Sequence, residues 1–279
     1  MHRATHAAAQ VNPARRHGGI STVAALLALG LAALAIPMAH ADPLDAEAER
    51  YRPLMIEEIG QALASAKTLK ERAAAKDLDG AKKAWIAARV GWERAEVFTS
   101  GFVPDLDEEI DSWPNAVVGF HAIEAKLFGA NTTELADEDT SLIYHLVDLD
   151  IKIRQMPLNA QGLFNGTARL AYEIGESKAD GGESRYSATS IDDMRNNVAG
   201  IAIAYKTVFA DALRSADTTL ADRMEQAIGQ MSAILDRADV KTLDTAKLRA
   251  KSEEMIIVLQ LSASKIGLRT PTLEDITQG

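Results

Sequence analysis

The chain has no cysteine. That excludes disulfides, thiolate metal sites and a lipid-modified N-terminal cysteine. Histidine is scarce as well. Of six, four fall in the first 41 residues, so beyond them any imidazole chemistry rests on His121 or His145. A zinc-peptidase motif needs two histidines close together, and these two stand 24 residues apart. A ferritin-like di-iron bundle needs two Glu-x-x-His motifs, and none runs in that order here. No apolar run reaches the roughly 18 residues of a membrane span. Glycine and proline are sparse after residue 42, and no stretch alternates with period two for long enough to make a strand.

The first residues have the layout of a cleavable export signal. Arg3, Arg15 and Arg16 form a positive start, and Thr22 to Ile36 is almost wholly apolar. Ala39-His40-Ala41 then fits the small-x-small cleavage rule. Residues 1–41 are therefore expected to be a signal peptide, with a periplasmic mature chain beginning at Asp42. Arg15-Arg16 raises a twin-arginine route, but its flanks match that signal poorly. Cleavage removes three arginines and no acids, moving the formal charge from −10 to −13. Such a surface repels nucleic acid and anionic membranes and suits cations.

What fills the remainder is alanine, leucine, lysine and glutamate in helical periodicity. Helices are expected over 44–75, 78–99, 114–129, 138–154, 159–178, 188–215, 217–236 and 243–267. Asp77 to Gly80 reads as a turn or cap, and Thr99 to Trp113 as an acidic loop. Pro114 suits the first turn of the helix after that loop. Ser190 with Asp193 resembles a capping box. Met255 to Leu261, apolar except for Gln260, suggests a central helix. The expected fold is all-α, as two antiparallel four-helix bundles or one elongated bundle pair.

Three segments could carry chemistry. His121 and Glu124 are i, i+3 neighbours, and Val117, His121, Glu124 and Phe128 fall within about 60° on a helical wheel. A carboxylate on an apolar stripe must be neutralised, paired or coordinated, so the pair is either a metal-ligand pair or a structural hydrogen bond. Leu78, Trp85, Trp92 and Glu96 share a second stripe, with Glu93 at its edge. Arg89 lies on the same face, either as an ion-pair partner there or in a plain surface pair with Glu93. The two tryptophans read as core. Asp105 to Asp111 is acidic but no calcium loop, because the sixth position lacks glycine and Ala116 stands at the twelfth. It is either a solvated loop or the source of one or two acids, such as Asp111, that complete a site. One imidazole with several carboxylates suits iron, manganese, zinc or calcium better than Cu(I).

Taken in order, these segments resemble the imelysin-like family of periplasmic iron-uptake proteins, the EfeO/EfeM type. Ala88-Arg89, Trp92-Glu93 and Glu96 are similar to its AR-x-x-[YW]-E-x-x-E helix. Phe102 to Asp111 is similar to its F-x-D-L-D-x-x-I-D loop, and Gly119 to Glu124 to its G-F-H-x-x-E motif. Glu173 to Lys178 and Glu183 to Ser187 resemble its D-E-x-x-x-S-K and E-x-R-Y-S segments. The resemblance implies a two-bundle helical domain over 42–279 with a cleft, and a metal site near the HxxE helix. The candidate ligands are His121, Glu124, Glu96, Glu93, Asp111 and Glu173. It implies iron as the ion, with zinc, copper, manganese or calcium as alternatives. It also implies an inner-membrane iron permease and a haem peroxidase-like protein as partners, and a binding protein rather than an enzyme. Rival functions are binding of an acidic polysaccharide or other anionic ligand, bridged by a cation, and metallopeptidase activity. Longer family members carry a cupredoxin domain, so this chain reads as the short form. Tyr172, Gly91 and Ala95 depart from the family's usual residues.

Overall fold

The computed structural model describes residues 43–113, 117–239 and 241–277. The proposed signal peptide, its cleavage point and Pro114 lie outside these. Among the described residues there is no strand, and no helix is long and apolar enough to cross a membrane. The all-α expectation therefore stands.

Helix α1 (Pro43–Ala74) leads into α2 (Leu78–Phe102). Asp77 caps α2, its Oδ1 accepting from Gly80 N at 2.9 Å; this satisfies one of the unpaired donors of the first turn. Asn159, Asp217 and Asp244 do the same for α6 (Ala160–Glu176), α9 (Thr218–Asp236) and α10 (Thr245–Ala263). The end of α5 (Glu138–Gln155) is tied to α1 instead. Arg52 donates to the carbonyl of Met156 at 2.7 Å and to that of Ile153, covering carbonyls that have no partner within the helix.

Helix α2 is the packing hub. It lies against α1, α6 and α7 (Ser190–Ala204), while α10 packs on α6 and α9. Small residues allow this. A Cβ on Gly91 would run into the carbonyl of Glu58, so the glycine lets α1 and α2 approach closely. Trp85 and Trp92 are fully buried, as expected of core residues. Both rings meet Phe120, with centroids 6.2 and 6.1 Å away, and Trp85 Nε1 donates to the Phe120 carbonyl at 3.0 Å. The residue before His121 is thus pinned to α2.

The structure departs from the sequence reading at several places. The supposed acidic loop contains α3 (Pro104–Asp111). Proline suits its first turn, Asp105 and Asp107 face the positive end of the helix dipole, and Leu106 and Ile110 bury one side. Helix α4 (Gly119–Glu124) starts later than expected and passes into a π-turn over Ala125–Gly129. Val117 precedes it and is exposed, so it is not on the His121 face. A second π-turn, Tyr205–Phe209, separates α7 from α8 (Ala210–Ala216). Helix α10 is not buried all round, since Ile257 and Leu261 are half exposed. A short α11 (Leu273–Thr277) follows where no helix was expected.

Candidate metal centre

One face of α2 carries Arg89, Glu93 and Glu96, all buried. The i, i+4 spacing that could have meant a surface pair is a buried ion pair between Arg89 and Glu93. Asp111 arrives from the last turn of α3, and His121 from the first turn of α4. The turn between them depends on Gly119, whose φ of +71° is in the left-handed region. A Cβ at that position would strike the carbonyl of Ile110, so α3 and α4 abut through a glycine.

His121 stands between three carboxylates. Nδ1 lies 3.1 Å from Glu124 Oε2. Nε2 lies 3.3 Å from Asp111 Oδ1 and 3.7 Å from Glu183 Oε1, yet it is buried without a hydrogen bond. Asp111 is fixed by Trp92, whose Nε1 donates to Oδ2 at 2.8 Å, and by an ion pair with Arg89. Arg89 also reaches Asp193 at 3.2 Å and Glu183 at 3.4 Å. The Lys178 ammonium lies 3.0 Å from both Glu93 Oε2 and Glu96 Oε2 and 3.3 Å from Glu183 Oε1. Asn197 donates to Glu93 Oε2 at 2.7 Å and also to Glu96.

Ligand atoms converge in two groups that share Asp111, namely Asp111, His121 and Glu183, and Glu93, Glu96 and Asp111. Of the residues expected from sequence, Glu93, Glu96, Asp111 and His121 meet here. Glu124 is placed behind the ring, and its other oxygen already accepts from Tyr186 N, Ser187 N and Ser187 Oγ. Glu173 accepts from Arg169 Nε at 2.7 Å and joins neither group. It lines a cavity of about 370 Å³ next to the centre, with Glu96, Asp107, Glu108, Asp111, Glu183, Arg169 and Lys178 among its walls. His145 is elsewhere, 3.8 Å from Glu109.

Burial and mutual repulsion set the protonation. Burial opposes a charged His121, but Asp111, Glu124 and Glu183 outweigh it and raise its pKa to about 9. Burial, with Glu93 alongside, pushes the Glu96 carboxyl well above the usual range. Asp111 is raised by burial despite Arg89 and His121. Burial raises Asp193 to about 7 against the pull of Arg89, and Asp107 to about 7 with Glu173 adding to it. Glu183 goes the other way, because Lys178, His121 and Arg89 outweigh its burial. The carboxylates outnumber the cations Arg89, Lys178 and His121, and the raised Glu96, Asp111 and Asp193 show burial and mutual repulsion pushing part of that excess toward the neutral form. Hard oxygens, one imidazole nitrogen and more carboxyl groups than cations fit a divalent or trivalent metal ion.

Sequence reasoning did not pick out Lys178, Glu183, Asp193 and Asn197. Lys178 and Glu183 belong to the segments that carry the family resemblance, which was the available signal. Asp193 fits a cap pattern in the sequence, but neither it nor Ser190 caps α7 through its side chain. Ser190 Oγ donates to the Gly181 carbonyl at 3.1 Å, and Asp193 accepts from Ser184 Oγ at 2.5 Å.

Fold and centre together define an all-helical protein with a buried carboxylate–imidazole cluster. The Imelysin family model, which carries a peptidase label, matches residues 48–118 and 114–266, and the chain belongs to that family. It is 31% identical over 213 residues to the iron uptake system component EfeO of Escherichia coli (strain K12), an alignment covering 72% of this chain and 53% of that protein. It is 29% identical over 201 residues to EfeO of Yersinia pseudotuberculosis, covering 68% and 53%. The chain therefore spans about half the length of these relatives. A solved structure described as an iron-regulated protein A precursor from Parabacteroides distasonis shares the fold. Its TM-score is 0.68 at 17% identity, covering 82% of this chain and 97% of that one.

Proposed function

We propose that this protein binds a metal ion, iron in its physiological setting, as an exported component of an uptake system. The carrying observation is His121 Nε2, a buried ring nitrogen without a hydrogen bond that faces Asp111 and Glu183. A buried polar atom without a hydrogen bond is costly; Asp111 and Glu183 offset this by favouring the charged ring, and a metal ion held by Asp111, His121 and Glu183 would take the place of that proton. Glu124 would act from behind by holding the ring through Nδ1, as outer carboxylates do for metal-bound histidines. Glu93 and Glu96 would supply further oxygens, and Glu173 would stand along the approach.

Iron is favoured by the named role of the relatives as iron uptake system components; zinc, copper, manganese and calcium remain alternatives for the same donors. Export by residues 1–41, a periplasmic location, and handover to an inner-membrane iron permease with a haem peroxidase-like protein belong to this proposal. So does the grouping of the helices into two bundles beside the cleft. The reading is of binding rather than catalysis. A zinc peptidase of the two-histidine class needs a second imidazole near the first, and His145 pairs with Glu109 instead. An acidic polysaccharide would meet six carboxylates and only two cations in the cavity, so it would need a bridging metal. Anomalous scattering from crystals soaked in Fe or Zn salts tests the proposal. It expects a peak in coordinating contact with Asp111, His121 and Glu183; a peak elsewhere alone, or none, overturns it.

A further inference from the structure

Lys178 is unusual among the lysines of this chain. It is almost fully buried, and its ammonium donates to Glu93 and Glu96 while lying 3.3 Å from Glu183 Oε1. Three carboxylates around one ammonium match the three N–H donors of a lysine. Two of the three, Glu93 and Glu96, form an all-oxygen group of converging atoms with Asp111, and the third, Glu183, belongs to the group around His121. The ammonium therefore stands where the two groups meet and shares their oxygens. A metal ion drawing in Glu183 would compete for the oxygen that Lys178 contacts, and two cations that close repel strongly in a buried site.

The lysine also has somewhere to go. Its side chain lines the cavity of about 370 Å³ beside the centre, and a lysine stem is flexible enough to turn its head group toward water.

We propose that Lys178 is a tethered counter-cation, which holds the carboxylates together in the metal-free protein and is displaced into the adjoining cavity when a metal ion enters. This rests on the metal-binding reading above and adds an exchange of one positive charge for another. Such an exchange keeps the buried carboxylates compensated in both states, and it lowers metal affinity relative to the same site without the lysine.

The test is calorimetric titration of Zn²⁺ into the wild-type chain and into Lys178→Met, which keeps the stem and removes the charge. Exchange predicts that Lys178→Met binds Zn²⁺ at least about tenfold more tightly. It also predicts a lower melting temperature for that variant without metal, and a larger rise on saturation. Equal or weaker binding by a folded Lys178→Met overturns the exchange and leaves metal binding intact. No binding by the wild type removes the metal reading, and the exchange with it. Should Lys178→Met not fold, ¹⁵N spectra of lysine ammonium groups in the wild type decide. The slowly exchanging Lys178 signal is expected to be lost or moved by Zn²⁺. A signal unchanged at saturation shows a fixed structural lysine and overturns the proposal.

Discussion

Glu124 Oε2 stands 3.1 Å from His121 Nδ1, on the opposite side of the imidazole from Asp111, and so commits Nε2 to the centre. The same carboxyl is locked from behind by Tyr186 N, Ser187 N and Ser187 Oγ, at 2.7 to 3.0 Å. On the proposed reading, the i, i+3 pair that marks the sequence is an orienting pair rather than two equivalent donors. Glu124→Ala is expected to weaken metal binding by about 10–100-fold without abolishing it, as losses of such outer partners do. Titration calorimetry measures this; complete loss of binding would instead make Glu124 a direct ligand.

Gly119 sets the geometry of the turn that joins Asp111 to His121. Its φ of +71° and the Ile110 carbonyl, which occupies the space a Cβ would need, leave no room for a side chain. Gly119→Ala is expected to destabilise the protein by about 1–3 kcal/mol through backbone strain and to weaken metal affinity as α3 and α4 part. Urea unfolding with parallel titration checks both. A variant as stable and as tight as wild type contradicts this account of the turn.

Arg89 compensates Glu93, Asp111, Glu183 and Asp193 while nearly fully buried. Removing one member of a buried ion network leaves charges unpaired and costs about 3–5 kcal/mol. Arg89→Met should therefore lower metal-free stability by that order. A cost below about 1 kcal/mol, the range of a surface pair, would return Arg89 and Glu93 to the surface-pair reading.

Metal-free stability should fall as pH rises from about 5 to about 9. His121 is raised from 6.5 to about 9, so its contribution is complete below 6.5 and is lost as pH climbs through 9. Asp107 and Asp193 are raised from 3.8 to about 7, so their contributions are lost between those values and are gone above about 7. Glu183, lowered from 4.5, contributes above 4.5 and loses its part only as the medium becomes more acid. Urea midpoints in chelator at pH 5, 7 and 9 should decrease in that order; an increase would contradict the protonation described here. Because His121 is protonated at pH 7, metal binding must also expel a proton, and affinity should rise with pH.

Much of this was legible locally. Helix spans follow from periodicity and caps such as Asp77, and the HxxE pair and the Arg89–Glu93–Glu96 face follow from 3.6-residue spacing. The rest depended on distance in the chain. Lys178, Glu183 and Asp193 lie about 80 to 100 residues beyond their α2 partners, and no local pattern reports which buried side chains will face each other. At Asp105 to Asp111 the density of acids argued for a loop, but a proline at the first helical position and acids on the dipole's positive end stabilise a helix. Ser190 with Asp193 satisfied a cap pattern, but the centre recruited Asp193.

His121 Nε2 is proposed above as a metal-binding nitrogen. Calorimetric titration of wild type and His121→Ala with Zn²⁺, and with Fe³⁺ supplied as a soluble chelate, decides this. The wild type is expected to bind, His121→Ala to bind at least about tenfold more weakly, and the variant to fold with the same helical circular dichroism. Equal affinity in the two proteins, with only the melting temperature lowered, would make His121 and Glu124 a structural pair and contradict the account.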